Sequence, residues 1–328
     1  MSSLPAEGYR LPNISPKSYE HPADRAASAA LAAVPYLDVA VRKLIELGYE
    51  RALRQSYLGG SVRLSNDQMG HVHTLHRACY VTLDMEPVPD LYLTQMPVPN
   101  AMAIGSGKPI VVLGSSALGL LEGEELRAVL AHEAGHILSD HTLYRTALVI
   151  LLRMGQSARI PLPLMPVRAA LLEWFRASEL TCDRAAALVT RDPMAVCRTL
   201  MGLAAGTPAR ELNVDAFMRQ GQEYSEGGTG LERLSRLLID LNVTHALPVK
   251  RIKELMDWVH SGEYDRIVGG DYLTRDQDFT ARAEAGDAAT HYGEKLSDVF
   301  KDAGESIGDV GQKLGEWLRN AKLPGDRP

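Results

Sequence analysis

Cysteine is scarce: the chain of 328 residues holds three, Cys79, Cys182 and Cys197. An odd, widely spaced set with no CxxC pair offers neither a disulfide framework nor a cysteine-built zinc site, so the three read as reduced core thiols. Basic runs are missing as well. With a formal net charge of −6 and no Lys/Arg-rich stretch, the chain lacks the cationic surface that phosphate neutralisation needs, and no nucleic-acid partner is expected. Nor is there an apolar run near the roughly 20 residues that cross a bilayer. The nearest approach, residues 146 to 175, is interrupted by Arg153, Arg159 and Arg168, so any membrane contact is expected to be peripheral. The opening stretch "MSSLPAEGYRLPNISPKSYEHPADR" has prolines and charges where a signal peptide has a basic start and an apolar core. A cytoplasmic protein is expected, with attachment to the inner face of a membrane as the variant.

What is present is ordinary core material: 45% hydrophobic and 23% charged residues, enough for one large domain or two. Patterning divides the chain into an N-terminal arm with helices over 1–60, a catalytic-type unit over 61–270, and a polar linker with an amphipathic helix over 271–328. Residues 1 to about 22 read as an irregular surface arm. Two helical patterns follow, ending at Gly59-Gly60. Ser65 and Gln68 have capping-box spacing, which predicts a helix starting there. "DLYLTQM", "NAMAIG" and "PIVVLG" read as short strands between proline, asparagine and glycine turns. From Glu122 onward Leu126, Val129, Leu130, Ile137 and Leu138 recur at helical intervals. More helices are expected at about 166 to 191, 193 to 206 and 230 to 242, then in "THALPVKRIKELMDWV". The fold class is therefore α+β, mainly helical, with a small sheet.

The helix from Glu122 carries "VLAHEAGHILSDH". His132 and His136 are one turn apart and share a face, so both rings can reach one ion, while Glu133 sits about 100° further round as a general base for water. Two imidazoles suit Zn²⁺, and a catalytic zinc needs a third protein ligand plus an open position. "RASELTCDRAAAL" supplies it: Glu179 can complete the triad, and Asp183, one turn on, can orient a ligating histidine through its free N–H. His141 stands one residue early for the HExxHxxGxxH pattern and Ser139 occupies its glycine position, which argues against a third histidine ligand. "HVHTLH" puts only His73 and His76 on one face with no carboxylate, and "GSGKP" lacks the first glycine of a phosphate loop.

HEAGH, the later Arg176, Glu179 and Asp183, and the preceding "NAMAIG…IVVLGSSALGLLEGEELRAVLAHE" together resemble the zinc metallopeptidase family of HtpX heat-shock proteases and CAAX prenyl endopeptidases. The likeness covers roughly residues 60 to 255: Asn100-Ala101 on a strand, Ile110 to Leu113 on a second, a small-residue turn at Ser115-Ser116, then the acidic helix start. The resemblance implies a zincin-like domain with one Zn²⁺ per chain and hydrolysis of peptide bonds by activated water. It also implies that Asn100, Ala101, Met102 and Ala103 lie on an edge strand that pairs with an extended peptide or protein substrate; an ordinary edge strand is the plainer reading. The family's His-Pro with a following arginine becomes His245, Ala246 and Arg251 here. His245 would then stabilise the oxyanion, and a core or capping histidine is the alternative. Spanning helices of the membrane-embedded relatives are absent from the corresponding stretch. A catalytically silent zinc-containing interaction protein is the competing class, disfavoured by Glu133, which a structural site does not need. Nothing in the sequence names the oligomeric state. The C-terminal stretch, with five basic against six acidic residues, is expected to dock on the catalytic unit or a partner helix, and self-inhibition by it rests on its length alone.

Overall fold

The computed structural model describes residues 8–45, 50–157, 164–226, 246–277 and 306–320. Helix α1 (Pro22–Ala32) begins with proline at its first position, and the His21 ring caps it by accepting the Ala23 N–H. Helices α2 (Leu37–Leu44) and α3 (Glu50–Gly60) follow. The Ser65–Gln68 spacing closes a turn with reciprocal backbone hydrogen bonds. Helix α4 therefore starts later than expected, at Gly70, and runs to Thr82.

The three expected strands are present as β2 (Leu91–Thr94), β3 (Ala101–Ile104) and β4 (Ile110–Gly114). A two-residue strand β1 (Val62–Arg63), too short to leave a sequence pattern, joins them in the order β1-β2-β4-β3. β2 and β4 are parallel, and β3 returns antiparallel to β4 at the sheet's edge. The turn between them needs Gly105 at φ +108°, where a Cβ would also meet the Lys108 carbonyl at 3.1 Å. Ser115-Ser116 opens a short helix α5 (Ser115–Leu120), where a turn was expected.

The core is built by α6 (Glu124–Leu138), α7 (Thr142–Ser157), α8 (Met165–Thr190) and α9 (Pro193–Ala205). α10 (Val214–Glu226), α11 (Pro248–His260) and α12 (Glu263–Val268) close one side. α8 is long enough to serve two cores. Its C-terminal half, Ala185 to Val189, packs with α4, α6 and the sheet, and its N-terminal half, including Leu171, Trp174 and Phe175, packs with α1, α2 and α7. Glu179 and Asp183 sit between them. The N-terminal arm is irregular, as expected, yet it is no mere surface wrap: Leu11, Ile14 and Tyr19 are buried in the main core, and Ile14 bridges to Thr274. Of the amphipathic tail, residues 306–320 are described and hold α13 (Ile307–Asn320), whose Val310 and Leu314 pack on the core shared with α2; the periodic stretch before it lies outside the described residues. The helix expected at 230 to 242 lies outside the described residues. Among the described residues no helix is long and apolar enough to cross a membrane.

Candidate metal centre

Small residues let α6 and α8 approach closely. A Cβ on Gly135 would fall 2.8 Å from Ala185 Cβ, so glycine is required between the two motif histidines' helix and α8. Arg127 ties the same pair by donating to the Val189 carbonyl at 2.7 Å. Across this contact Glu179 Oε1 stands 3.1 Å from His136 Nε2 and 3.5 Å from His132 Nε2. With metal–ligand distances near 2.0–2.1 Å, a tetrahedral site has ligand–ligand edges of about 3.3 Å, and both separations bracket that value. Cys182 also brings its sulfur within 4.8 Å of ring atoms of both histidines. In the metal-free protein burial first, then the charge of Glu179, holds its pKa well above the ordinary value.

A second ring of charge surrounds these atoms. Arg251 of α11 binds Asp183 with two bonds, from Nε at 2.8 Å and Nη2 at 2.6 Å, and donates from Nη1 to Glu179 Oε2 at 2.8 Å. Asp183 Oδ1 lies 3.1 Å from His132 Nδ1 and fixes that ring with Nε2 turned toward Glu179. Burial opposes a charge on His132, but Glu179 and Asp183 outweigh it and lift its pKa to about 9. That proton has to leave before Nε2 can ligate. His136 is the opposite case: burial, then the Arg145 charge, pushes it well below its ordinary value and leaves it neutral. Burial raises the carboxyl of Asp183, yet Arg251 prevails and holds it below the usual range.

Glu133 is buried beside this cluster. Its Oε2 accepts the backbone N–H of Ala103 and Nη1 of Arg145, each at 2.6 Å. β3 bonds to β4 through Asn100, whose carbonyl accepts from Gly114 N–H, so by strand alternation Ala101 and Ala103 turn their backbone groups to the free edge. A cavity of about 600 Å³ opens here. Asn100, Ala101, His132, Glu133, Glu179 and Asp183 line it, and Val129, Val196, Leu200 and Leu203 form an apolar wall. Met102 and Ala103 lie on the same strand but do not line the cavity. Ala246 and Arg251 reach it, whereas His245 lies outside the described residues. His73 bonds to Asn66 and His76 to the Pro89 carbonyl, each in a local role. Arg145, His141 and Asp24 are contacts the sequence did not announce, because Arg145 and Asp24 come from other helices and His141 has no ligand spacing.

A predominantly helical, zincin-like fold thus brings two histidines, a carboxylate and a buried glutamate together beside a cavity and a sheet edge. The family model of peptidase family M48 matches residues 66–259, more than half of the chain. A chloroplastic plastoglobule-localized metallopeptidase 48 of Arabidopsis thaliana is 38% identical over 258 residues, covering 76% of this chain and 74% of its own. Protease HtpX homologues of Burkholderia mallei and Burkholderia pseudomallei are 28% identical over 211 residues, covering 55% of this chain and 71% of theirs. No solved structure matches the chain. The chain belongs to peptidase family M48.

Proposed function

We propose that this peptidase is a zinc-dependent endopeptidase acting on extended or unfolded protein, with one Zn²⁺ held by His132, His136 and Glu179. The observation that carries the reading is the approach of Glu179 Oε1 to the Nε2 atoms of both His132 and His136, beside a cavity that His132, Glu133 and Glu179 line. Zinc, when bound, supplies Lewis acidity that polarises a carbonyl oxygen and eases deprotonation of water. Glu133 takes the water's proton and returns it to the leaving amine. Arg145 and the Ala103 N–H fix the direction of its carboxylate, so the base and the sheet edge are one unit. Ala101, with the Ala103 carbonyl, remains to pair with the substrate backbone, and the apolar wall receives a substrate side chain. Asp183 and Arg251 hold His132 and Glu179 in place. His245 is assigned to the oxyanion by resemblance, and His245→Ala should lower kcat with zinc retained. The peptidase is proposed to be cytoplasmic. One relative's plastoglobule name favours peripheral attachment to a lipid surface as the second reading, and fractionation before and after a carbonate wash separates the two.

The test compares metal content and hydrolysis of unfolded casein for the intact protein and Glu133→Gln. The reading predicts zinc in both and cutting by the intact protein alone. Zinc in both and cutting by neither would favour the silent binding protein.

A further inference from the structure

Behind His136, on the side away from Glu179, three buried side chains form a line that ends on the N-terminal helix. His136 Nδ1 is 3.2 Å from His141 Nδ1. The other nitrogen of that ring, His141 Nε2, is 3.0 Å from Asp24 Oδ2 on α1. All three side chains are buried, with Asp24 and His136 at 0% exposure. None of these contacts follows from the HExxH spacing, and Asp24 lies outside the residues matched by the family model.

The neighbours of Asp24 decide how protons are arranged along the line. Trp174 Nε1 donates to Ser28 Oγ, which donates to Asp24 Oδ1, and Thr181 Oγ1 donates to Asp24 Oδ2 at 2.6 Å. Thr181 Oγ1 in turn accepts the His21 N–H, so its own hydrogen is committed to Asp24. Asp24 is an acceptor for all of them. His141 must therefore present an N–H at Nε2, and a neutral ring then has a bare lone pair at Nδ1. The nearest atom facing that lone pair is His136 Nδ1 at 3.2 Å, ahead of Cys182 Sγ at 3.6 Å, and a hydrogen on His136 Nδ1 completes the line. His136 is then the tautomer whose Nε2 is free to ligate, and Nε2 is the atom beside Glu179. With hydrogen on His136 Nε2 instead, two neutral rings would put lone pairs face to face at Nδ1, and only a second proton on His141, at Nδ1, would restore the bond.

We infer that Asp24 and His141 are positioning residues for the metal centre, a carboxylate–histidine relay that fixes the tautomer and ring angle of His136. The inference rests on the zinc-site reading. It makes α1 a working part of the centre, clamped to α8 through Thr181, and gives the N-terminal segment a role that the family match does not assign. A carboxylate behind a ligating histidine raises the ring's basicity and holds its direction, and losing such a partner costs about 10–100-fold in metal affinity. Here one histidine is interposed, and the same direction of effect is expected.

The experiment uses the full chain loaded with zinc. Long-range proton–nitrogen spectra of histidine-labelled protein should show His136 protonated at Nδ1 and His141 at Nε2. Competition against a chelator should show Asp24→Asn binding zinc about 10–100-fold more weakly than wild type, with the thermal midpoint of the zinc-free protein little changed. A hydrogen on His141 Nδ1 would overturn the relay, and this readout needs no variant to fold. Wild-type zinc affinity in a folded Asp24→Asn protein would overturn it too, as would an affinity loss explained wholly by unfolding of the zinc-free variant. If wild type itself holds no zinc, the centre and the relay fall together; if wild type holds zinc and Asp24→Asn matches it, only the relay falls.

Discussion

His76 shows how a single buried ring sets a pH limit on the fold. Its Nε2 donates to the Pro89 carbonyl at 2.9 Å, and its Nδ1 is buried with no hydrogen-bond partner among the described residues. A second proton would put an unsatisfied N–H in the core, and burial accordingly pushes the pKa down to about 4. The unfolded chain takes that proton near pH 6.5, so it binds more protons than the folded one between those values. Stability is full above pH 6.5 and declines as pH falls toward 4, by about 2 kcal/mol at pH 5. Urea titrations at pH 7 and pH 5 should show that loss in wild type and less of it in His76→Gln. Arg145 belongs to the same scale. Arg145→Ala strands the buried Glu133 carboxylate and should cost about 3–5 kcal/mol in denaturant unfolding. Arg145→Lys keeps the charge but not the guanidinium geometry, and should lower kcat more than it raises KM.

At the scale of elements, the centre depends on how near α6 comes to α8. Gly135→Ala places a methyl where Ala185 Cβ and Cys182 Cα already stand, at 2.8 and 3.4 Å. The helices must part, at a cost of about 1–3 kcal/mol, and Glu179 moves away from both histidines. Weaker zinc binding alongside a lower thermal midpoint is the expected result. α13 is independent of the cleft: Val310 and Leu314 pack on the core of α1, α2 and α7. Leu314→Ala should destabilise by about 2–5 kcal/mol without changing casein hydrolysis, whereas faster hydrolysis after removal of residues 276–328 would support self-inhibition by the tail. α6 was legible in the sequence because its apolar residues keep helical period for four turns, and the strands because turn residues bound them. The Ser65–Gln68 spacing misled, since the same four-residue interval that caps a helix also closes a turn. Asp24 and Arg145 were illegible for a different reason: each meets the centre from another helix, and only the packing of α1 and α7 on α8 brings it there.

Across the whole molecule, α8 joins two cores, and a zinc ion between its halves would couple them to α6. Zinc bound to the folded state alone adds stability by mass action, about 4 kcal/mol when free zinc exceeds Kd 1,000-fold. A chelator should therefore lower the thermal midpoint of wild type, and the Glu179→Ala protein should respond far less. The donor set is what the whole account turns on, and Glu179 and Cys182 present different elements to the ion. X-ray absorption at the zinc edge of the loaded chain distinguishes them directly. The account predicts nitrogen and oxygen neighbours at about 2.0–2.1 Å with no sulfur, and a sulfur shell near about 2.3 Å would contradict it by making Cys182 the third ligand.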